Sequence, residues 1–227
     1  MGHTHRALGE FEAAREHFNQ ARKLFHAAHA LIGEAHAFCE LGDLYRQTER
    51  IDDATRCLRS ASALYRKTNN LGGQAHVAIS IGNMAMQQGH YAQALQVYQD
   101  ALHIYSKLSR PSNEAVVTAN LSHANYALGE RALANTQLTK ALTSVRSASN
   151  RYDEAIIYWW RGDVCIRLGE CTDALAALRE CLRICTELEL DNWVSDCREK
   201  MALLNEQEVT PAPDPTAHFS PPPIVRQ

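Results

Sequence analysis

Cysteine and histidine are the side chains here that could ligate a metal or carry a proton, and the chain has seven of the first and 11 of the second. Cys181 and Cys185 stand one helical turn apart, a spacing that puts two thiols on one side of a helix. His26 and His29 lie at i and i+3, with His36 seven further on. Zinc sites use tighter pairs, no C-x-x-C occurs, and neither H-E-x-x-H nor a carboxylate-rich neighbour accompanies the histidines. Met1-Gly2-His3 as a free terminus would chelate copper, as any X-X-His end does. No phosphate-binding G-x-x-x-x-G-K-[ST], no G-x-S-x-G and no His/Cys pair with an orienting acid is present. We expect no catalytic residue, no metal and no cofactor, and reduced cysteines packed as small apolar groups. Arg161, beside Trp159-Trp160, breaks the local pattern; an Arg on a packing face usually lays its stem on apolar surface and keeps its head in water, and the alternative is a pair with Asp163 or Glu154.

The elements that would position these residues are set by a repeat of 40 residues. Leu8-Gly9-Glu10-Phe11 recurs as Gln88-Gly89-His90-Tyr91, Leu128-Gly129-Glu130-Arg131 and Leu168-Gly169-Glu170-Cys171, with a weaker copy at Thr48-Glu49-Arg50-Ile51. Small residues follow in register at Ala14, Ala54, Ala94, Ala134 and Ala174, then large ones at Phe18, Leu58, Tyr98, Leu138 and Leu178. A third set is Ala21, Ala61, Ala101, Ala141 and Cys181. A fixed period in this range marks a solenoid, whose units bury their apolar faces against one another. Each unit divides into two helices: Ala35, Phe38, Leu41, Gly42 and Tyr45 recur at helical steps, as do Ala54, Leu58, Ala61, Leu64 and Tyr65. Asn69-Asn70, Ser109 to Asn113 and Ser149-Asn150 are stop and cap signals, with Pro111 suited to a first helical turn. Gly42, Gly82, Ser122 and Gly162 allow the two helices of a pair to approach closely.

Leu41-Gly42, Tyr45, Ala54, Leu58 and Ala61 carry a resemblance to the tetratricopeptide repeat family, which extends over residues 1 to about 206. Ala85, Asn125 and Cys165 replace the aromatic of that pattern in other units, and Arg161 stands where Leu41, Ile81 and Leu121 stand. The resemblance implies an all-α, right-handed superhelical solenoid of antiparallel helix pairs, about five units with a C-terminal capping helix. The family's usual unit is about 34 residues. A longer unit resembles the branch found in Pins-type adaptors and in sensor domains of bacterial and fungal signalling proteins. Units fall near 9–48, 49–88, 89–128, 129–168 and 169–206, preceded by a truncated one. In such a fold the first helix of each pair lines a concave groove. Carried over unit by unit, the resemblance implies a groove of His36, Asp43, Arg46, His76, Ile79, Asn83, Met86, Gln87, Val116, His123, Tyr126, Ile156, Trp159, Asp163, Ile166 and Arg167, joined by Cys39, Gln47, Ala119 and Ala127 and extended by His3 and Arg6 at the truncated end. His3, Asp43, Asn83, His123 and Asp163 form its polar ladder, and Trp159 and Tyr126 are its anchors. The chaperone-type carboxylate clamp of Lys and Asn is not supplied by His36, Cys39, Asp43, His76 and Ile79.

These readings point to a non-enzymatic adaptor that binds a protein or peptide. The alternative is the sensor or regulatory domain of a larger signalling protein, an NTPase, protease or transcription regulator whose effector domain is absent. Net charge is −3, with 23 Lys+Arg against 26 Asp+Glu and no basic block, which disfavours nucleic acid. No apolar run reaches the roughly 20 residues of a membrane span, and no signal or myristoylation pattern opens the chain. A cytoplasmic location is expected.

Both ends add expectations. On the repeat register Met1-Gly2 aligns with Leu41-Gly42, so helix 10–28 would lack half its partner and leave Phe11, Phe18, Leu24 and Phe25 partly bare. That face is expected to support self-association. Residues 191–206 read as a cap that packs through Trp193, Cys197, Met201 and Leu204, with Asp196, Glu199, Lys200, Asn205 and Glu206 outward. Six of the seven prolines follow in 207–227, read as a disordered tail.

Overall fold

One turn, reused along the chain, sets its rhythm. In the computed structural model, which describes residues 2–7, 9–147 and 150–206, the first long helix closes at His29, whose φ is +53°. The His29 N–H bonds to the His26 carbonyl at 3.0 Å, and the Ala30 N–H reaches back to Phe25 at 2.9 Å. This is the Schellman arrangement, which satisfies carbonyls that a helix end leaves open. The same two bonds recur at Gly9, Glu49, Asn69, Gly89, Gly129, Gly169 and Glu189. Only a residue in the left-handed region can make this turn. Glycine takes it freely, whereas an L side chain such as Glu49 or Asn69 does so at a cost of about 1 kcal/mol.

The described residues hold eleven helices and no strand: α1 Gly2–Ala7, α2 Phe11–Ala27, α3 Leu31–Gln47, α4 Ile51–Lys67, α5 Leu71–Gln87, α6 Tyr91–Lys107, α7 Pro111–Ala127, α8 Arg131–Ser147, α9 Arg151–Leu168, α10 Cys171–Glu187 and α11 Asp191–Glu206. Pro111 opens α7 as expected, and Asn70 and Asn150 cap α5 and α9 by accepting from the Gly73 and Asp153 N–H groups. The expected tail, 207–227, lies outside the described residues.

Within a pair, the helices touch at the small positions. A Cβ on Gly82 would sit 2.4 Å from the Tyr98 ring, and one on Gly42 or Gly162 would sit 2.9 Å from Leu58 or Leu178. At the equivalent place Ser122 donates its hydroxyl to the Ala134 carbonyl at 2.9 Å, so its own polar group is satisfied in the contact.

The chain divides into two compact units, one running through Leu108 and the other starting at Ser109. In the first, α1 to α6 pack in sequence, and α3 also lies against α5. Its core includes Ala14, Phe18, Leu41 and Leu44 between α2 and α3, and Ala35, Cys39, Leu58, Ala61, Tyr65 and Val77 around α4. In the second, α7 to α11 pack in sequence and α7 lies against α9. Leu138, Val145, Ile157, Val164, Leu178, Cys181, Ile184, Cys185, Trp193 and Cys197 join one core.

Three local expectations need correction. Phe18 is buried, because Gly2 of α1 lets that short helix close over its ring; Phe11, Leu24 and Phe25 remain exposed. On α11, Asp196 and Lys200 point at α9 instead of outward, taken up by Trp159 and Asp163. Of the two readings of Arg161, the alternative pairing is not the one seen: Glu154 binds Arg146 and Arg151, and Asp163 binds Arg167 and Lys200.

Candidate functional site

The first helices of the pairs stand side by side within each unit, and their polar residues bridge them. In the first unit Arg6 of α1 donates to Glu40 of α3 at 3.0 Å, and both side chains are almost wholly buried. Burial raises the Glu40 carboxyl above the ordinary range, and the Arg6 guanidinium opposes that rise. One step along, the Ser80 hydroxyl of α5 donates to Asp43 at 3.2 Å, and Arg46 lies 3.8 Å from the same carboxylate. Asn83 faces its own pair, its amide oxygen accepting from the Tyr98 hydroxyl at 2.6 Å. Burial pushes the Tyr98 phenol far up, so it stays a donor. His36 is exposed and His76 half-buried, with ring centroids 6.4 Å apart across α3 and α5.

In the second unit His123 of α7 lies 4.0 Å from the Trp160 ring of α9, and burial pushes its pKa down to about 4. The neighbouring Asp163 opposes that depression and Arg167 adds to it. Burial alone would raise Asp163, yet its carboxyl lies below the ordinary range; His123 attracts it only when protonated, so at neutral pH Arg167 at 2.8 Å and Lys200 at 3.7 Å hold it ionised. Tyr126 donates its hydroxyl to the Arg167 carbonyl at 2.8 Å, and Arg131 lies over the Tyr126 ring. The Trp159 indole N–H donates to Asp196, and Lys200 sits 4.8 Å above its ring.

The sixteen residues of the expected groove thus fall into two groups. Arg46, Ile79, Asn83, Met86, Val116, His123, Ile156, Trp159 and Asp163 are buried. Asp43, His76, Gln87, Tyr126, Ile166 and Arg167 are half-buried, and His36 is exposed. Only the second group therefore keeps substantial accessible surface. Sequence reading missed Ser80 and Glu40, set Asp196 and Lys200 outward, and gave Arg6 no partner. A signal for some of them exists: Asp43–Ser80 and Trp159–Asp196 are each 37 residues apart, one period less a helical turn, the diagonal neighbour between adjacent first helices.

The cysteines are free, and all but Cys57 and Cys171 are buried. Burial raises the Cys39, Cys57 and Cys165 thiols, which makes them poor nucleophiles. Among the described residues no three His, Cys, Asp or Glu side chains are placed to hold a metal ion. No helix there is long and apolar enough to cross a membrane.

Helix pairs with small residues at their crossings and bridged first helices define a repeat scaffold, and the family comparisons agree. Sequence profiles of the tetratricopeptide repeat match residues 1–67 and, for a second profile, 39–109 and 123–187. The chain belongs to the tetratricopeptide repeat family, whose members are generally non-enzymatic scaffolds for protein interaction. Among curated proteins no sequence match reaches significance. Solved structures with the same fold include a Rap protein complexed with competence and sporulation factor, at 16% identity and TM-score 0.75, covering 91% of this chain. This chain spans 61% of that Rap chain's length. BtubC (BKLC) from P. vanneervenii matches at 13% identity and TM-score 0.61, over 94% of this chain and 96% of its own. A Podospora anserina protein described as a kinesin light chain, with nearly identical TPR-like repeats, matches at 14% identity and TM-score 0.51, over 92% and 94% respectively.

Proposed function

We propose that the protein is an adaptor that binds a peptide or helix of a partner along the first-helix faces of its units. The observation that carries this is the division of labour on those faces. The buried Glu40, His123 and Asp163 and the half-buried Asp43 tie neighbouring first helices together. His36, His76, Gln87, Tyr126 and Arg167, in adjoining registers, keep accessible surface. A surface whose supporting groups are already bonded loses little entropy on binding. Tyr and Arg are favoured anchor types at interfaces.

The test is affinity capture with cross-linking, comparing the wild type with His36→Ala/His76→Ala and with Tyr126→Ala. The histidine variant changes residues that keep accessible surface; Tyr126 also packs against the second unit's core and bonds the Arg167 carbonyl, so Tyr126→Ala is checked for retained helicity by circular dichroism and paired with Tyr126→Phe. We expect at least one partner to be lost with one variant; identical partner lists for all three proteins would refute the proposal.

A second reading is favoured by the likeness to the Rap chain, of which this chain spans 61%. On that reading the repeats are the sensor part of a larger regulator. The flanking coding sequence tests it: an in-frame effector domain supports this reading, and stop codons on both sides contradict it.

A further inference from the structure

The register that repeats the helices also repeats one buried pair, and at its second occurrence the acid is missing. Arg6 on α1 and Glu40 on α3 stand 34 residues apart and bond at 3.0 Å, with both side chains almost wholly buried. One period of 40 residues further, Arg46 of α3 takes the place of Arg6, and Ser80 of α5 takes the place of Glu40. Ser80 carries no charge, and its hydroxyl donates to Asp43 instead.

Arg46 is 6% exposed, yet it makes no hydrogen bond among the described residues, and its Nε is enclosed without a partner. The nearest acidic oxygen, Asp43 Oδ1, stands 3.8 Å away, outside hydrogen-bonding distance. In the second unit Asp163, the counterpart of Asp43, is bonded by an arginine at 2.8 Å. A guanidinium has five donors, and burying it with none of them bonded is costly. A carboxylate that accepts two of them in parallel offsets that cost best. The Arg6–Glu40 pair shows that this fold accommodates such a carboxylate between neighbouring first helices.

Two acceptors beside Arg46 are open as well. Gln47 and Gln87 close α3 and α5 at one register position, on first helices that pack against each other. The side-chain amide oxygen of each is enclosed and unbonded among the described residues. Such an oxygen calls for an N–H, and a peptide main chain supplies one at every residue but proline. A helix spends its N–H groups internally, so the fit is to an extended segment. Resting on the adaptor reading above, we propose that the α3–α5 face takes an extended segment of a partner protein through an acidic side chain. Its carboxylate pairs with Arg46 as Glu40 pairs with Arg6, and its backbone N–H groups donate to Gln47 and Gln87. These three positions are not those of the chaperone-type clamp, which fall on His36, Cys39, Asp43, His76 and Ile79.

The experiment uses the full chain and libraries of short peptides whose other positions are random but uncharged. One library has a central glutamate and blocked ends, one a central glutamine and blocked ends, and one a central glutamine with a free C-terminus. We expect the first to retain labelled protein at least tenfold better than the other two. For its tightest peptide, affinity by fluorescence anisotropy should fall at least tenfold with Arg46→Met. That variant copies Met86, which holds the same register position on α5. Ser80→Glu supplies the missing acid from within the chain and should block the same peptide. If Ser80→Glu lowers the melting temperature, Arg46→Lys is the second variant, and it should recover only part of the binding because it keeps the charge and loses the fork. Equal retention of the two blocked libraries, or a peptide indifferent to Arg46→Met, overturns the proposal. If that indifferent peptide is still lost with His36→Ala/His76→Ala, the adaptor reading stands and only this site falls. Preference for the free C-terminus also overturns the proposal, because the acid would then be a chain end. Absence of binding in every library overturns it too and leaves the adaptor reading to its own capture experiment.

Discussion

Acid should weaken the second unit through one buried ring. His123 is 4% exposed, lies against Trp160, and has its pKa pushed by burial from 6.5 to about 4. The fold therefore favours the neutral imidazole, and its contribution is fully present above pH 6.5 and lost as pH falls toward 4. The whole gap corresponds to about 3 kcal/mol at ~1.4 kcal/mol per pH unit, of which about 2 kcal/mol is lost by pH 5. Asp163 has a lowered carboxyl, so its own stabilisation is lost only below pH 3.8 and stays outside this window. The assay is selective because all three tryptophans, Trp159, Trp160 and Trp193, lie in the second unit. Urea unfolding followed by tryptophan fluorescence should give a midpoint at pH 5 well below that at pH 7, and His123→Leu should remove most of the difference. Equal pH dependence in the wild type and His123→Leu would refute the reasoning.

Three further outcomes follow from the packing. Gly82→Ala should lower stability by about 1–2 kcal/mol in thermal unfolding, because overpacking against Tyr98 outweighs the better helix propensity. Tyr98→Phe should cost about 1–2 kcal/mol by circular dichroism in urea, since it leaves the buried Asn83 amide oxygen without its donor. Glu49→Gly should raise the melting temperature, because glycine relieves the left-handed φ of +60° at a gain of about 0.5–1 kcal/mol.

The helix pairs were legible because each apolar position recurs in every unit, and the glycine turns at Gly9, Gly89, Gly129 and Gly169 mark where first helices stop. The turns at His29, Glu49 and Glu189 carry less sequence signal, because these side chains are not types that favour the left-handed φ they adopt, whereas Asn69 is one. The positions expected to line a groove could be named from the repeat register, whereas the burial of each depends on lateral neighbours. Trp159 reads as an interface anchor by type, yet Asp196 and Lys200 from α11 cover it. Phe18 reads as bare at a half-unit, yet the six residues of α1 suffice to close over it.

The central claim is that the accessible first-helix residues receive a partner segment. The most direct measurement is hydrogen exchange on the full chain with a peptide selected on it from a random displayed library. The account predicts protection on α3 and α5, or on α7 and α9, that is lost in His36→Ala/His76→Ala or in Tyr126→Ala respectively. Protection confined to the second helices α4, α6, α8 and α10, unchanged in those variants, would contradict it.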